Sequence, residues 1–407
     1  MKTVLLILLF LFASSQVTFD ASKAIKDWGS AGFDNSISSH SALDQMGVGW
    51  NLGNSLDAHN SNGGLNEGLS SETSWGNIKT TECMIDSLVR KGFKTIRVPV
   101  SWHNHLIDYN YTIDPEWMKR VKEVVDLCLK KGLWVILNTH HDNASGWVSY
   151  GKGYYPTRSN QAESERFLRN VWTQICQAFN NGYNQKLIFE ALNEPRLMGN
   201  QYEWWYQPGA PDCEEGNEVL NSFNRLIHSV IRSSSGNNAK RFIMFTSQAA
   251  AYSYVTGGNF ALPDDSRYNS GNSRILVSVH MYSPFDFAFD ANSGVNVCNQ
   301  NCKSELDGYF RTLHDKFVTR GIGVIIGEFG SINKWNLSAR IEWAKYYVEN
   351  SRKKGLVPII WDNQNFSSGE ESFGLMHRQQ CSWEPEDYVN ALVQAGKTPL
   401  GYENYIK

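Results

Sequence analysis

Residues 187–195 read Leu-Ile-Phe-Glu-Ala-Leu-Asn-Glu-Pro: a short apolar run that passes, within a few positions, into an amide, a carboxylate and a proline. An apolar run this short has the length of a strand buried on both faces rather than of a helix. Seven more runs of the same kind surround it, at Val48 to Leu52, Thr95 to Val98, Leu133 to Leu137, Phe242 to Phe245, Ile275 to Val279, Val324 to Ile326 and Val357 to Trp361. Between most of them lie helical patterns at 115–131, 162–179, 218–232, 305–320 and 337–354, several followed by a glycine (Gly132, Gly321, Gly355), as helix C-termini often are. Eight buried strands alternating with helices over about 360 residues predict an α/β fold of the (β/α)8 TIM-barrel type. A doubly wound open sheet is the alternative, but its dinucleotide fingerprint is missing: Gly47-Val48-Gly49 follows no strand and lacks the third glycine. With no linker, repeat or low-complexity block, residues 25–407 read as a single domain.

The first twenty residues have a different character. Lys2, the apolar run Val4 to Phe12 and the small residues Ala13, Ser14 and Ser15 follow the order of a secretory signal peptide, expected over 1–20. The run is too short to span a bilayer, so a secreted, extracellular protein with no membrane partner is expected. Lys plus Arg is 38 and Asp plus Glu is 41, a formal charge of -3, which supplies no basic excess for nucleic acid. The chain is rich in aromatics, with 14 Trp, 18 Tyr and 20 Phe, flat faces that fill a core or line a cleft that stacks on sugar rings. Seven cysteines are too few for a disulfide scaffold. Cys128 and Cys176 continue apolar helical stripes, Cys298 and Cys302 flank a short polar loop suited to a local disulfide, and the others read as incidental.

A barrel places its active site at the C-terminal ends of its strands. Those ends carry Arg97, then Asn138-Thr139-His140-His141-Asp142, Glu190 to Pro195, His280-Met281-Tyr282, Gly327-Glu328-Phe329-Gly330 and Trp361-Asp362-Asn363. Each has a structural reading: Arg97 as an ion-pair partner, His140 as a core histidine, a glutamate as a helix cap. Together, on six of eight runs, they favour a site, because such groups cost about 1–3 kcal/mol each if buried unpaired. Glu194 and Glu328, on the fourth and seventh runs, would face each other across the barrel mouth, the pair that glycoside cleavage needs. About 5–5.5 Å between the carboxyls gives retention of configuration and about 6.5–9.5 Å gives inversion. Other chemistries lack their motifs. There is no G-x-S-x-G and no H-E-x-x-H, and adjacent His140 and His141 on a strand would point to opposite faces. Gly146 to Gly153 fails as a phosphate loop, since Gly153 stands where a hydroxyl should hold magnesium. No metal and no cofactor is expected.

These motifs, together with Gly49 to Ala58 and Arg97-Val98-Pro99-Val100-Ser101-Trp102, resemble glycoside hydrolase family 5, and within it the subfamily 4 endoglucanases, over nearly the whole mature chain. The resemblance implies a retaining enzyme with Glu194 as acid/base and Glu328 as nucleophile. It further implies that Tyr282 hydrogen-bonds Glu328, that Asn193 binds the sugar 2-hydroxyl, and that His140 and His280 orient substrate and catalytic groups. Trp361 would be the stacking floor, and Asn54, Trp75, His141 and Trp205 further sugar-binding residues. The chemistry then requires Glu194 to stay protonated through a raised pKa and Glu328 to be ionised beside Arg97. The expectation is a secreted, monomeric endo-β-1,4-glucanase acting on β-glucan polysaccharide. The alternatives are a xyloglucanase, lichenase or xylanase of the same family and, from another class, a non-catalytic glycan-binding barrel. Four sequons, at Asn110, Asn143, Asn336 and Asn365, permit N-glycosylation in a eukaryotic host.

Overall fold

The computed structural model describes residues 32–60, 64–146, 148–269 and 274–401; the leader read at 1–20 lies outside the described residues. Eight parallel strands close into a barrel in chain order: β1 (Gly49–Asn51), β2 (Thr95–Val98), β3 (Trp134–Asn138), β4 (Leu187–Glu190), β5 (Ile243–Phe245), β6 (Ile275–His280), β7 (Gly323–Phe329) and β8 (Leu356–Ile360), which returns to β1. Around them run α1 (Ser39–Met46), α2 (Glu82–Lys91), α3 (Pro115–Lys130), α4 (Gln161–Ala178), α5 (Pro211–Ser233), α6 (Tyr252–Gly257), α7 (Phe285–Ala288), α8 (Gln300–Lys316), α9 (Leu337–Lys353) and α10 (Glu386–Ala395). A small antiparallel hairpin, β9 (Met376–His377) with β10 (Ser382–Trp383), stands in the segment after β8.

Local chemistry sets the helix ends. Asp114 accepts a hydrogen bond from the Glu116 N–H in front of Pro115 to start α3, and Gly92, at φ 111°, takes the left-handed turn that ends α2. Two helices begin earlier than their apolar period indicates. The extra residues of α5 include Gly216, where a Cβ would stand 2.9 Å from the Gln248 amide, so close packing replaces the hydrophobic signal there. The N-terminus of α8 is set by Asn299, whose carbonyl accepts from the Asn301 and Cys302 N–H groups.

Strand alternation divides the core in two. Outward residues such as Ile96, Val135, Phe189 and Val277 pack against the helices, while Ile136, Ile188, Leu276, Ile325, Val357 and Ile359 fill the barrel with α1 residues Leu43 and Met46 beneath them. Further up the same strands the inward positions turn polar: Asn51, Arg97, Asn138, Glu190, Ser278 and His280 are all buried. On β7 the register against β6 steps from Val279↔Ile326 to His280↔Glu328, leaving Gly327 as an extra residue. That bulge reverses the alternation and turns Glu328 toward the interior.

Cys298 and Cys302 are bonded, as their spacing suggested. A second disulfide corrects the reading of the remaining cysteines as incidental: Cys83 of α2 is bonded to Cys381, 298 positions away in the β9–β10 turn. Such a separation leaves no trace in spacing. Cys128, Cys176 and Cys213 are free and buried. Among the described residues, no helix is long and apolar enough to cross a membrane.

Candidate active site

The floor of the barrel mouth is organised around one guanidinium. Arg97 is fully buried and donates from Nε to Glu190 Oε2 at 2.6 Å, from Nη1 to Asn51 Oδ1 at 3.0 Å and Glu328 Oε1 at 2.8 Å, and from Nη2 to Asn193 Oδ1 at 2.7 Å. Glu190 is completed by Ser278 Oγ at 2.7 Å and Asn138 Nδ2 at 3.1 Å. A buried cation is tolerated when its donors find acceptors and opposite charge stands beside it, and here the guanidinium makes four hydrogen bonds, two of them to carboxylates. Glu190 had no assigned role in the sequence reading. Its signal is positional, since it pairs with Asn138 in the β3–β4 register and so points into the same interior layer.

Above this floor stand the two carboxylates. Glu328 accepts from Arg97 at Oε1 and from the Tyr282 hydroxyl at Oε2, the latter at 2.8 Å. Glu194, four residues beyond β4, accepts from His280 Nδ1 at Oε1 (2.8 Å) and from Arg196 Nη1 at Oε2 (3.1 Å). His280 Nδ1 also lies 3.7 Å from Glu328 Oε2, and one ligand atom from each of Glu194, His280 and Glu328 falls within 4.8 Å of the others. Two carboxylates this close, bridged by an imidazole, can share and pass a proton.

The electrostatics correct one expectation. Burial pushes the Glu194 carboxyl up, but His280 and Arg196 together outweigh burial and hold it below its ordinary range. At Glu328 burial wins over His280 and Arg97, and with Glu194 adding like charge the group is raised. The free site thus does not show the raised Glu194 beside a lowered Glu328 that the resemblance implied. His280, lowered by burial but drawn up further by the two carboxylates, is raised and is the natural seat of the proton.

The walls are aromatic. Trp361, which follows β8, is held by its backbone N–H on Phe329 O at 2.9 Å, and its ring lies parallel to the His140 ring at 5.9 Å. A Cβ at Gly53 would meet its indole at 2.7 Å, so the glycine makes room for the ring. Asp362 fixes this corner, accepting from Trp50 Nε1 and from the Leu375 and Met376 N–H groups. His140 and His141 do not diverge as expected. β3 ends at Asn138, so strand alternation no longer applies, and the two rings meet at 4.4 Å. With Asp57 they form, among the described residues, a second group whose ligand atoms lie within 4.8 Å of one another. Both Asp57 oxygens accept backbone N–H groups, from Asn54 and Ser55, and burial lifts this carboxyl to about 6. Burial leaves His141 at about 3 and His140 well below its usual value, so both rings are neutral. Trp75 lies beside His141 at 5.4 Å and is 38% exposed. Asn54, at φ 57°, sits beside Trp361's glycine, Gly53. In the loop after β4 Trp205 is 55% exposed, and its neighbour Trp204 is packed under Arg196 at 4.2 Å. Arg196 carried no role in the sequence reading.

Residues 56–367 match the family described as Cellulase (glycosyl hydrolase family 5). Endoglucanase A of Clostridium longisporum is 42% identical over 370 residues, covering 89% of this chain and 65% of that protein, so the chain spans just under two thirds of this relative. A family 5 lichenase from Caldicellulosiruptor sp. F32, solved with cellotetraose, superposes with a TM-score of 0.83 at 39% identity, over 88% of this chain and 96% of that one. A broad-specificity GH5-4 endoglucanase structure from Clostridium longisporum superposes with a TM-score of 0.80 at 41% identity, over 89% and 99% of the two chains.

Proposed function

From the premise that the chain belongs to glycosyl hydrolase family 5, we propose that it is an exported, retaining endo-β-1,4-glucanase with Glu194 as acid/base and Glu328 as nucleophile. The observation that carries the reading is the approach of the two carboxylates, whose nearest ligand atoms lie within 4.8 Å of each other. That spacing favours the short separation of about 5–5.5 Å at which a carboxylate attacks carbon directly, over the longer one that admits a water.

The proton economy follows from the geometry. With substrate bound, the proton on His280 passes along the 2.8 Å hydrogen bond to Glu194, which delivers it to the glycosidic oxygen as the bond to carbon breaks. Glu328, with Arg97 on one oxygen and Tyr282 on the other, attacks the same carbon and forms the glycosyl ester. Glu194, now a carboxylate, takes a proton from water as the water's oxygen displaces Glu328. Asn193, anchored on Arg97, is placed to bind the 2-hydroxyl, and Trp361 is the stacking floor. His141, Trp75 and Trp205 extend the cleft for neighbouring sugars, with Asn54 beside the floor.

Substrate breadth is the finer part of the proposal. The structural relatives include both a lichenase and a broad-specificity endoglucanase, which supports activity on mixed-linkage glucan as well as on cellulose chains. The test is the initial rate of reducing-end release on carboxymethylcellulose, mixed-linkage glucan, xyloglucan, xylan and mannan, with the anomer of the first product followed by proton NMR. Fastest release on the first two substrates with the β-anomer appearing first supports the reading. A lead for xyloglucan or xylan keeps the mechanism and changes the substrate, an α-anomer first overturns retention, and silence on all five points to a glycan-binding barrel. Glu328→Gln should abolish turnover while leaving oligosaccharide binding measurable by calorimetry.

A further inference from the structure

Arg196 lies two residues past Glu194. Asn143 fixes its backbone from both sides, donating to Arg196 O at 2.9 Å and accepting from Arg196 N at 2.7 Å. From that fixed base the guanidinium reaches three groups. Nη1 donates to Glu194 Oε2 at 3.1 Å, the plane lies 4.2 Å from the Trp204 ring, and Nε faces Glu203 Oε1 at 3.2 Å as an ion pair without the alignment of a hydrogen bond. Glu203 and Trp204 belong to the loop after β4 whose indoles, Trp204 and Trp205, are half exposed.

We propose that Arg196 is a positioning residue that holds Glu194 as a carboxylate for the water-activating half of the reaction and ties that state to the loop of Glu203, Trp204 and Trp205. This rests on the glycosidase reading above. The argument is one of donors and acceptors. In the structure both Glu194 oxygens accept from nitrogen, Oε1 from His280 and Oε2 from Arg196. That arrangement suits a carboxylate taking a proton from water, whereas an acid delivering a proton needs one oxygen clear of a cationic donor. Arg196 has an alternative seat on Glu203 and Trp204, and its Nε–H is not committed there. A sugar stacking on this loop therefore acts on the same side chain that touches the acid/base. The other titratable groups facing Glu194 are His280 on β6 and Tyr282 after it, Glu328 on β7, His141 and Tyr154 after β3, and Glu371 after β8. All of them stay in place when Arg196 alone is changed.

The experiment compares wild type, Arg196→Gln and Arg196→Lys across pH on two substrates. On a β-glucan polymer, the alkaline limb of kcat/KM reports loss of the proton from the acid. On 2,4-dinitrophenyl β-cellobioside, whose leaving group needs no acid, the acidic limb of kcat reports the base. Arg196→Gln should move both limbs to higher pH by about one unit, the effect of removing one contacting cation, and Arg196→Lys should return them toward wild type. Lower rates with both limbs unmoved in Arg196→Gln would overturn the proposal and leave Arg196 a structural residue. A wild-type protein that hydrolyses no β-glucan would instead overturn the functional reading beneath it, so the two failures are separable. If Arg196→Gln does not fold, the lysine variant and Glu203→Gln, which removes the alternative seat, decide the matter. With Glu203 neutral, Arg196 stays on Glu194 and both limbs should move to lower pH; unmoved limbs would count against the proposal.

Discussion

Arg97 joins strands that the sequence keeps far apart: its guanidinium reaches Asn51 on β1, Glu190 on β4, Asn193 just after it and Glu328 on β7. That is why the strand-end residues were legible as a set. A lone arginine in a strand is ambiguous, but an arginine, two amides and two glutamates at strand ends become partners once a barrel closes, with Ser278, Asn138 and Tyr282 completing the glutamates. What the sequence did not disclose is which partner wins. The proton balance at Glu194 depends on His280 and on Arg196, the second of which a strand-end search passes over, and the meeting of His140 with His141 depends on where β3 stops. His105 shows the same dependence on packing and gives a sharp test. Its ring is buried, stacks on Trp117 at 3.6 Å and meets Ser71 Oγ at 3.1 Å through Nε2, and burial depresses its pKa to about 2. A histidine depressed on folding contributes stability above its unfolded pKa of about 6.5, and that stability is lost as pH falls below 6.5 toward the folded value. His105→Phe keeps a flat ring on Trp117 and cannot ionise. It should be less stable than wild type at pH 7 by about 1 kcal/mol for the lost hydrogen bond. This deficit should shrink and then reverse between pH 6.5 and 4.5, by about 1.4 kcal/mol per unit. Urea unfolding at three pH values measures it, and a deficit constant with pH would show that His105 is not held neutral by the fold.

At the scale of the element, β7 carries the most information per residue. Its apolar run was legible as a strand, but strict alternation from Gly323 and Ile325 would put Gly327 inward and Glu328 outward, among the helices. The extra residue corrects this, and only glycine serves there: a Cβ at position 327 would stand 3.0 Å from both His280 Nε2 and Ser278 Oγ. Asn51 Nδ2 takes the bulge carbonyl at 2.9 Å, so the device is held from β1 as well. Bulges are poorly visible in sequence because nothing but the partner strand's register defines them. Gly327→Ala should therefore separate function from folding. The added methyl should cost about 1–3 kcal/mol in urea unfolding, a tolerable loss for a domain this size, while kcat on β-glucan should fall about 100-fold because His280 and Glu328 shift against each other. A variant with normal kcat would mean that the bulge does not position the nucleophile. By contrast, the early starts of α5 and α8 cost the site nothing, since both lie on the outer ring.

For the whole molecule the question is how the barrel's last strand is held to its first. The β8–β1 edge has only two residue pairs in register, Gly49↔Ile359 and Trp50↔Ile360. The chain sews this seam with segments on either side of β8. Arg378 donates to Ser55 Oγ, Gly53 O and Asp362 O; Arg352 reaches Gly47 O; and Lys91 of α2 pairs with Glu386 of α10 at 2.7 Å. The Cys83–Cys381 disulfide makes the same closure covalent across 298 positions. A bond closing so long a loop removes much of the freedom of the unfolded chain, and a contribution of about 2–5 kcal/mol is expected. The short Cys298–Cys302 loop spans four positions and should contribute far less. Cys83→Ser and Cys381→Ser should each lower the melting temperature by several degrees, and the double variant by no more than either single one, because one bond is lost in all three. Reductant should bring wild type to the level of these variants and leave the variants themselves unchanged. Cys298→Ser should melt close to wild type. A wild-type melting temperature indifferent to reductant would mean that the noncovalent seam alone holds β8 to β1, with Arg378 as the residue to test next.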